Sequence, residues 1–174
     1  MEQVANLSNL ANDLGLLLKS RQKRLVLAES CTGGLLAASL TLIPGISESF
    51  CGSAVTYRDG TKSAWIRVPE SHLADPQITA VSAIVADDMC QGLLERTPEA
   101  DLAASVTGHL GPGAPPELDG IVFIGILSRG AGPAVVQRRI TSDTPPTGFT
   151  LREHRRLEAA QLVLQSLIDH LRLP

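Results

Sequence analysis

The spacing of apolar residues predicts three long helices. In three segments, apolar side chains recur every three or four residues, which is the period of an amphipathic helix. The segments are residues 1–20, residues 79–96 and residues 152–171. Their apolar positions are Val4, Leu7, Leu10, Ala11, Leu14, Leu17 and Leu18 in the first, Ile84, Val85, Met89, Leu93 and Leu94, facing inward, in the second, and Leu157, Ala160, Leu164, Leu167 and Leu171 in the third.

Shorter apolar runs predict buried strands between these helices. The runs are RLVLA (24–28), FCGSAVTY (50–57), DLAASVTG (101–108), GIVFIGIL (120–127) and PAVVQRRI (133–140), the last nearer to a sheet edge. Two shorter helices are predicted for residues 32–42, ended by Pro44 and Gly45, and for residues 62–67, after a turn at 58–60. Because helices and strands alternate, we predict one α/β layered domain with helices on both faces of the sheet.

Two segments rich in proline and glycine are predicted to be irregular. They are GHLGPGAPPELDG (108–120) and TSDTPPTG (141–148). Loops that leave the ends of buried strands are where α/β folds carry their functional sites. Both segments are therefore candidates for part of a binding site, although they can also be plain connections.

Composition narrows the classes of partner and site. A chain of 174 residues suits a single domain over residues 1–174, and its formal charge of −3 disfavours a nucleic-acid partner. The longest apolar stretch, LLAASLTLIPGI, is too short to span a bilayer, so we expect no membrane segment. The three cysteines and four histidines have no CxxC or metal-ligand spacing, so we expect no disulfide and no metal. Without a secretion signal at its start, the chain is expected in the cytoplasm.

The stretch AESCTGG (28–34) is polar where core packing would favour apolar residues. A strand that runs through it into a helix places a hydroxyl and unpaired backbone N–H groups at a helix N-terminus. Such a place can hold a phosphate, or stabilise the oxyanion that forms when a nucleophile attacks an acyl carbon. The alternative is that Ser30 or Thr32 simply caps the helix. The spacings of a P-loop and of a GxSxG elbow are absent.

A second group of candidates lies in VTYRDGTK (55–62). Tyr57 is the one tyrosine of the chain, and Lys62 is one of three lysines among 15 basic residues. A lysine can lose its proton, whereas an arginine effectively cannot, so Lys62 is a candidate base. With Ser30, these residues resemble a serine nucleophile that is activated by a lysine or a phenolate without histidine. The alternative is a solvated lysine in a turn.

These motifs together resemble a known family. The segment AESCTGGLLAASLTLIPGISESFCGSAVTYRDGTKSAWIRV, the segment SVTGHLGPG and a C-terminal helix with Arg156 resemble the C-terminal domain of the competence/damage-inducible protein CinA. The resemblance covers about residues 5–170. The family that it indicates includes stand-alone nicotinamide-nucleotide amidohydrolases (NMN deamidases). It implies a three-layer α/β/α domain with a mixed sheet, which forms a homo-oligomer of two or more subunits and needs no cofactor. The implied reaction hydrolyses the carboxamide of a small-molecule nucleotide, nicotinamide mononucleotide, to nicotinate mononucleotide and ammonia, and thereby serves NAD recycling.

The resemblance also implies roles for individual residues. Ser30 would be the nucleophile, and Tyr57 and Lys62 would be the proton-transfer pair of the family pattern Y-x-N-x-x-K. Arg156 would meet the anionic end of the substrate. The remaining implied substrate-binding residues are Glu29, Cys31, Thr32, Gly33 and Gly34 of the ESCTGG motif, and Thr107, Gly108 and Gly111 of the family's S/T-G-I-A-G-P loop. The N–H groups around residues 32–34 would be candidate donors to the oxyanion.

Three differences from the family pattern lie in the same segments. Asp59 stands in place of Asn, His109 and Leu110 replace Ile-Ala, and the usual G-D-R element before the last helix is FTLREHR, in which Arg152 remains. A carboxylate within about 4–6 Å of Lys62 would favour its charged form and weaken it as a base. The alternatives to an amidohydrolase are therefore a nucleotide-binding or regulatory module without turnover, and a hydrolase of a related amide or an unphosphorylated riboside.

Overall fold

The sheet is mixed, with β2 and β5 at its edges. The computed structural model describes residues 2–132 and 134–173, and in this part of the chain the sheet has five strands in the order β2-β1-β3-β4-β5. The strands are β1 (Leu25–Glu29), β2 (Phe50–Val55), β3 (Leu102–Gly108), β4 (Ile121–Ser128) and β5 (Ala134–Arg139). β1 is parallel to β2 and β3, whereas β4 is antiparallel to β3 and β5. The predicted edge position of the last strand is confirmed, although Pro133 lies outside the described residues.

Helices cover both faces of this sheet. They are α1 (Glu2–Ser20), α2 (Leu35–Leu40), α3 (Asp59–Ile66), α4 (Glu70–Ala74), α5 (Ala83–Arg96) and α6 (Leu151–Arg172), with a short 3-10 helix at Ile46–Glu48. Because side chains alternate along a strand, Leu25 and Leu27 of β1 pack in one apolar core with α1, α2 and α6. Val26 and Ala28 of the same strand pack in a second core with α3 and α5. The predicted three-layer α/β/α architecture is confirmed.

The two shorter predicted helices begin at other residues. α2 begins at Leu35 rather than at residue 32, because residues 30–34 form a turn around the Glu29 carboxylate. α3 begins at Asp59, so residues 59 and 60 of the predicted turn belong to the first helical turn of α3. α4 lies in a segment without a predicted helix, and the segments 108–120 and 141–148 are irregular between their flanking elements, as predicted.

The helix predicted from residue 79 begins later. The Ser82 hydroxyl oxygen accepts a hydrogen bond from the Val85 N–H at 3.2 Å and caps α5 at Ala83. Ile84 is exposed in the first turn, so its predicted inward position is wrong. Val4 of α1 is likewise exposed, because it lies in the first turn of its helix. The other predicted inward positions of α5, and the apolar stripe of α6, are buried.

The register of the three parallel strands places their carboxyl ends together. Glu29 at the end of β1 pairs with Val55 at the end of β2 on one side and with Val106 of β3 on the other. The segments that follow these strands therefore leave the sheet at one edge, which is where α/β folds bind ligands. The ESCTGG motif, the VTYRDGTK motif and the first proline-glycine segment thus begin side by side.

Candidate active site

A cavity of about 280 Å³ lies where these three segments leave the sheet. Seven of the predicted site residues line it, namely Ser30, Cys31, Tyr57, Lys62, Thr107, Gly108 and Gly111. Further lining residues are Asp59, Ala80, Val81, His109, Leu110, Pro112, Gly113, Ala114 and Arg152. The cavity therefore joins both motifs, the first proline-glycine segment and the beginning of α6.

The amine of Lys62 contacts the hydroxyl of Ser30 inside this cavity. Lys62 Nζ lies 3.4 Å from Ser30 Oγ and donates a hydrogen bond to it. Lys62 is only 2% exposed and Ser30 is 8% exposed, so the predicted alternative of a solvated turn lysine is wrong. The two side chains meet because Ser30 directly follows β1, while Lys62 lies in the helix that follows the neighbouring strand β2.

Opposing effects set the proton affinity of Lys62. Burial lowers the pKa of the Lys62 ammonium, because a charged group is disfavoured away from water. The Asp59 carboxylate, with Oδ1 3.7 Å from Nζ, acts in the opposite direction, but its side chain is 57% exposed and partly screened by water. The net shift is downward. A lysine with a lowered pKa is more often in its neutral form. A neutral amine can accept a proton from a hydroxyl within reach.

The carboxylate of Glu29 lies behind the turn formed by residues 30–34 and does not line the cavity. It is fully buried. Its oxygens accept hydrogen bonds from Thr32 Oγ1 at 2.9 Å, Gly34 N–H at 3.0 Å, Leu36 N–H at 3.1 Å, Ala37 N–H at 2.9 Å and Ser53 Oγ at 3.0 Å. Three of these donors are backbone groups at the start of α2, where a helix has no internal acceptors. Glu29 therefore caps α2, and the predicted capping by Ser30 or Thr32 is wrong.

This arrangement also changes the candidate donors to an oxyanion. Gly34, whose φ of +92° suits glycine, donates its N–H to Glu29, and Gly33 donates to the carbonyl oxygen of Ser30 at 3.1 Å. Both N–H groups are therefore already paired within the protein. The resemblance assigns Glu29, Thr32, Gly33 and Gly34 to substrate binding, but none of the four lines the cavity, and together they shape the turn that presents Ser30.

Cys31 and Thr107 line the cavity without offering a reactive group. Burial raises the pKa of Cys31 to about 12, so its thiol stays neutral near neutral pH. The Thr107 hydroxyl donates a hydrogen bond to the carbonyl oxygen of Ala80 at 2.7 Å and joins the end of β3 to the segment before α5. Both residues contribute to the shape of the cavity.

Arg152, and not Arg156, reaches the cavity from α6. Arg152 donates from Nη1 to the carbonyl oxygen of Gly111 at 2.7 Å and from Nη2 to the Tyr57 hydroxyl oxygen at 2.8 Å. Arg156 lines a separate groove beside Phe149, so the structure does not bring it to this site. The sequence did carry a signal, since Arg152 is the residue that FTLREHR keeps from the family's G-D-R element.

The described residues lack a metal-binding cluster and a membrane-spanning helix. Over residues 2–132 and 134–173, no group of three or more His, Cys, Asp or Glu side chains is arranged to hold a metal ion. No helix within the same ranges is long and apolar enough to cross a membrane. All three cysteines are free thiols.

The fold is a three-layer α/β/α domain, and at the carboxyl edge of its parallel strands a serine contacts a buried lysine. These two features define the class of protein. The chain belongs to the CinA C-terminal domain family, whose model matches residues 7–168. A CinA-like protein of Myxococcus xanthus is 39% identical over 149 residues, and one of Thermotoga neapolitana is 33% identical over 158 residues. These matches cover 84% and 90% of this chain but 33% and 36% of the relatives, so the chain spans about a third of their length.

Solved structures of this superfamily have the same fold. A competence-damaged protein (CinA) superfamily protein from Klebsiella pneumoniae matches with a TM-score of 0.84 at 28% identity, over 95% of this chain and 97% of that chain. The competence/damage-inducible protein CihA from Agrobacterium tumefaciens matches with a TM-score of 0.83 at 30% identity, over 94% of each chain. The mixed five-stranded sheet and its helices are thus those of the CinA superfamily.

Proposed function

We propose that this protein hydrolyses a linear carboxamide, with nicotinamide mononucleotide as substrate and nicotinate mononucleotide and ammonia as products. The observation that carries the proposal is the 3.4 Å contact between Lys62 Nζ and Ser30 Oγ inside the cavity. A hydroxyl is a weak nucleophile until a base removes its proton, and a buried lysine with a lowered pKa suits that task. In this proposal the protein is a cytoplasmic homo-oligomer that acts without a cofactor and returns a pyridine nucleotide to NAD synthesis.

The proposed reaction has two halves. In the first, the Lys62 amine accepts the proton of Ser30 while Oγ attacks the carboxamide carbon. The C–N bond then breaks, the leaving nitrogen takes the proton from Lys62 and departs as ammonia, and the acyl group stays on Ser30. In the second half, a water molecule gives a proton to Lys62 and attacks the ester, and that proton returns to Ser30 as the carboxylic acid product leaves.

Tyr57 is the proposed donor to the oxyanion. Its hydroxyl oxygen accepts a hydrogen bond from Arg152 Nη2 at 2.8 Å, which leaves its own O–H free to donate. The N–H groups of Gly33 and Gly34 are paired elsewhere, so two of the three backbone candidates of residues 32–34 are taken, which favours a side-chain donor. Lys62 then serves as the base, since it is the residue in contact with Ser30.

Arg152 is the proposed partner of the substrate's phosphate. A phosphate monoester carries almost two negative charges near neutral pH and pairs well with the fork of a guanidinium. Two of the five N–H groups of Arg152 donate to Gly111 and Tyr57, and within residues 2–132 and 134–173 the others have no acceptor, so they can bind an anion. Arg152 thus takes the role that the resemblance assigns to Arg156.

Ammonia release from nicotinamide mononucleotide tests the proposal. The purified protein should release ammonia and nicotinate mononucleotide in equal amounts, and Ser30→Ala should lower kcat/KM about a thousandfold. Arg156→Ala changes an arginine outside the cavity and should retain the wild-type rate. Undiminished ammonia release by Ser30→Ala would exclude the assigned nucleophile.

A nucleotide-binding module without turnover is the second candidate. Burial lowers the pKa of Lys62, but the Asp59 carboxylate 3.7 Å away opposes this shift, and a base that stays charged cannot accept a proton. Such a module would show a higher Tm in the presence of nicotinamide mononucleotide and would return the nucleotide unchanged.

A hydrolase of a different amide is the third candidate. His109 and Leu110 line the cavity in place of the Ile-Ala of the family pattern, and Leu110 is almost completely buried. Because the shape of a pocket decides which substrate reacts, this change can alter the accepted amide. Faster turnover of nicotinamide riboside than of nicotinamide mononucleotide would favour this candidate.

A further inference from the structure

Arg155 is a buried arginine that neither the family motifs nor the proposed reaction uses. It is 2% exposed. Its Nη1 donates to both carboxylate oxygens of Asp119 at 2.8 Å, its Nη2 donates to Asp143 Oδ1 at 2.9 Å, and its Nε donates to the carbonyl oxygen of Ser142 at 3.0 Å. A buried guanidinium without such partners is costly, so these four contacts constrain where its partners lie.

These partners belong to the two irregular segments rich in proline and glycine. Asp119 lies near the end of the segment 108–120, whereas Ser142 and Asp143 lie near the start of the segment 141–148. One side chain of α6 therefore ties both segments to the helix that also carries Arg152. Segments without regular structure have few backbone hydrogen bonds of their own, so such a tie has a large share in fixing their position.

The ion pair between Arg155 and Asp119 contacts Gly111, which lines the cavity. A Cβ atom on Gly111 would lie 2.8 Å from Asp119 Oδ1 and 3.0 Å from Arg155 Nη1, so the pair packs directly against this backbone. Gly111 has a φ of +61°, and its carbonyl oxygen accepts the hydrogen bond from Arg152. Arg152 in turn donates to the Tyr57 hydroxyl. The pair thus supports the backbone on which Arg152, the proposed phosphate partner, is anchored, although it does not itself line the cavity.

We propose that Arg155 and Asp119 form a positioning pair that sets the substrate affinity of the cavity by fixing its wall, defined as residues 109–114. The inference rests on the proposed function for the identity of the substrate. Loss of the pair lets the Gly111 carbonyl move, and Arg152, which is anchored there, then points less well at an anion. Ser30, Tyr57 and Lys62 are carried by other elements, since they follow β1, follow β2 and lie in α3. Substrate binding should therefore suffer more than the chemical step.

The second carboxylate on Arg155 offers a matched control. The Asp119 side chain is 37% exposed and packs on Gly111, whereas the Asp143 side chain is 83% exposed and lies in the other segment. The Asp143 carboxylate lies largely in water, and an asparagine keeps an acceptor oxygen for Arg155 Nη2, so Asp143→Asn should leave the wall in place. Asp119→Asn keeps the size of the side chain but removes its charge and replaces one acceptor by a donor.

Hydrogen exchange and steady-state kinetics together test the proposal. The His109 N–H donates to the Ile121 carbonyl oxygen and the Gly120 N–H donates to the His109 carbonyl oxygen, both at 2.9 Å, so these two amides report on the wall. In Asp119→Asn and Arg155→Lys, both amides should exchange about tenfold faster than in the wild type. The KM for nicotinamide mononucleotide should rise about tenfold, with kcat changed less than about threefold. Asp143→Asn should match the wild type in every readout.

The outcomes that overturn the proposal are distinct from a failure of the proposed function. An unchanged KM in Asp119→Asn, or a lower kcat at an unchanged KM, overturns it. If Arg155→Lys does not fold, Asp119→Asn decides the question, because it retains the buried arginine. If the wild type releases no ammonia, the proposed function fails, and amide exchange that is equal in Asp119→Asn and the wild type then overturns the positioning pair by itself.

Discussion

The floor of the cavity, formed by Ser30 and Lys62, and its wall are held in place in different ways. Ser30 follows a central strand, and Glu29 directly before it is fully buried and accepts five hydrogen bonds. The wall has no regular secondary structure and depends on arginines of α6 that are distant in sequence. The floor is thus fixed by regular elements of the fold, whereas the wall is fixed by two backbone hydrogen bonds of His109, by the buried Leu110 and by arginine contacts.

This difference separates the chemistry of the site from its choice of substrate. We expect residues of the wall to change with little movement of Ser30 or Lys62, because the hydrogen bonds of Glu29 and the contact between Lys62 and Ser30 do not involve residues 109–114. The replacement of the family's Ile-Ala by His109 and Leu110 is such a change. Variants of the floor should therefore affect kcat first, and variants of the wall should affect KM first.

Lys62→Met should have the largest effect, because it removes the proposed base from the floor. We expect kcat/KM for ammonia release to fall about a thousandfold. Stability should change in the opposite direction. Burial lowers the pKa of Lys62 in the folded state, so the unfolded chain binds more protons, and stability rises with pH between that pKa and the usual lysine value. Below this window the charged lysine destabilises the fold.

Methionine has a similar length and no charge, so the Tm of Lys62→Met at neutral pH should equal or exceed that of the wild type. Thermal melts and ammonia assays on the same preparation separate the two effects. A variant that is both inactive and less stable would show that Lys62 is required for folding, and its loss of activity would then say nothing about a base.

Glu29→Gln should destabilise the floor by way of the turn that presents Ser30. A glutamine amide keeps one acceptor oxygen but directs an NH₂ group at N–H donors of α2. We expect the free energy of unfolding to fall by about 3 kcal/mol, and kcat to fall with it. Ser53→Ala removes one of the five donors and should cost about 1 kcal/mol. Urea titrations in which Glu29→Gln is as stable as Ser53→Ala would contradict this account.

Much of the floor could be predicted from the sequence because its parts are local motifs. ESCTGG follows a buried apolar run, and the separation of Tyr57 and Lys62 is visible in one short segment. The role of Glu29 could not be predicted, since one acidic residue at the end of a strand does not reveal which N–H groups it accepts from. The register that brings the motifs together is likewise a tertiary property.

The sequence predicted that the segment 108–120 contributes to a site, and Gly111 lines the cavity, but the side chains that hold the wall could not be predicted in the same way. Arg152, Arg155 and Arg156 lie within two turns of one helix, and Arg155 is buried whereas the other two are exposed. The periodic pattern of α6 identifies the side that faces the core, but it does not distinguish an arginine facing a cavity from one facing solvent. That choice depends on the path of the segment 108–120, which has no periodicity to read.

Arg152→Lys should weaken phosphate binding while the floor keeps its base. A lysine retains the charge but loses the fork, so it cannot hold Gly111, Tyr57 and an anion at once. We expect the KM for nicotinamide mononucleotide to rise about tenfold, with a smaller change in kcat. Nicotinamide riboside lacks the phosphate, and its KM should change less. Equal increases for both substrates would show that Arg152 acts through Tyr57 and not on the phosphate.

Asp59→Asn should have the smallest effect, because it changes only the proton affinity of the Lys62 amine. Lys62 must be neutral to act as a base, so kcat/KM should rise with pH through its pKa. Burial lowers this pKa and Asp59 raises it, so removal of the carboxylate should move the rising limb of the pH profile to lower pH. Because Asp59 is more than half exposed, the gain on the acidic side should stay within about threefold, with an unchanged plateau at high pH. Asp75 does not line the cavity, so Asp75→Asn is the acidic control and should leave the profile unchanged. A profile that does not move in Asp59→Asn would mean that a group other than Lys62 sets this limb.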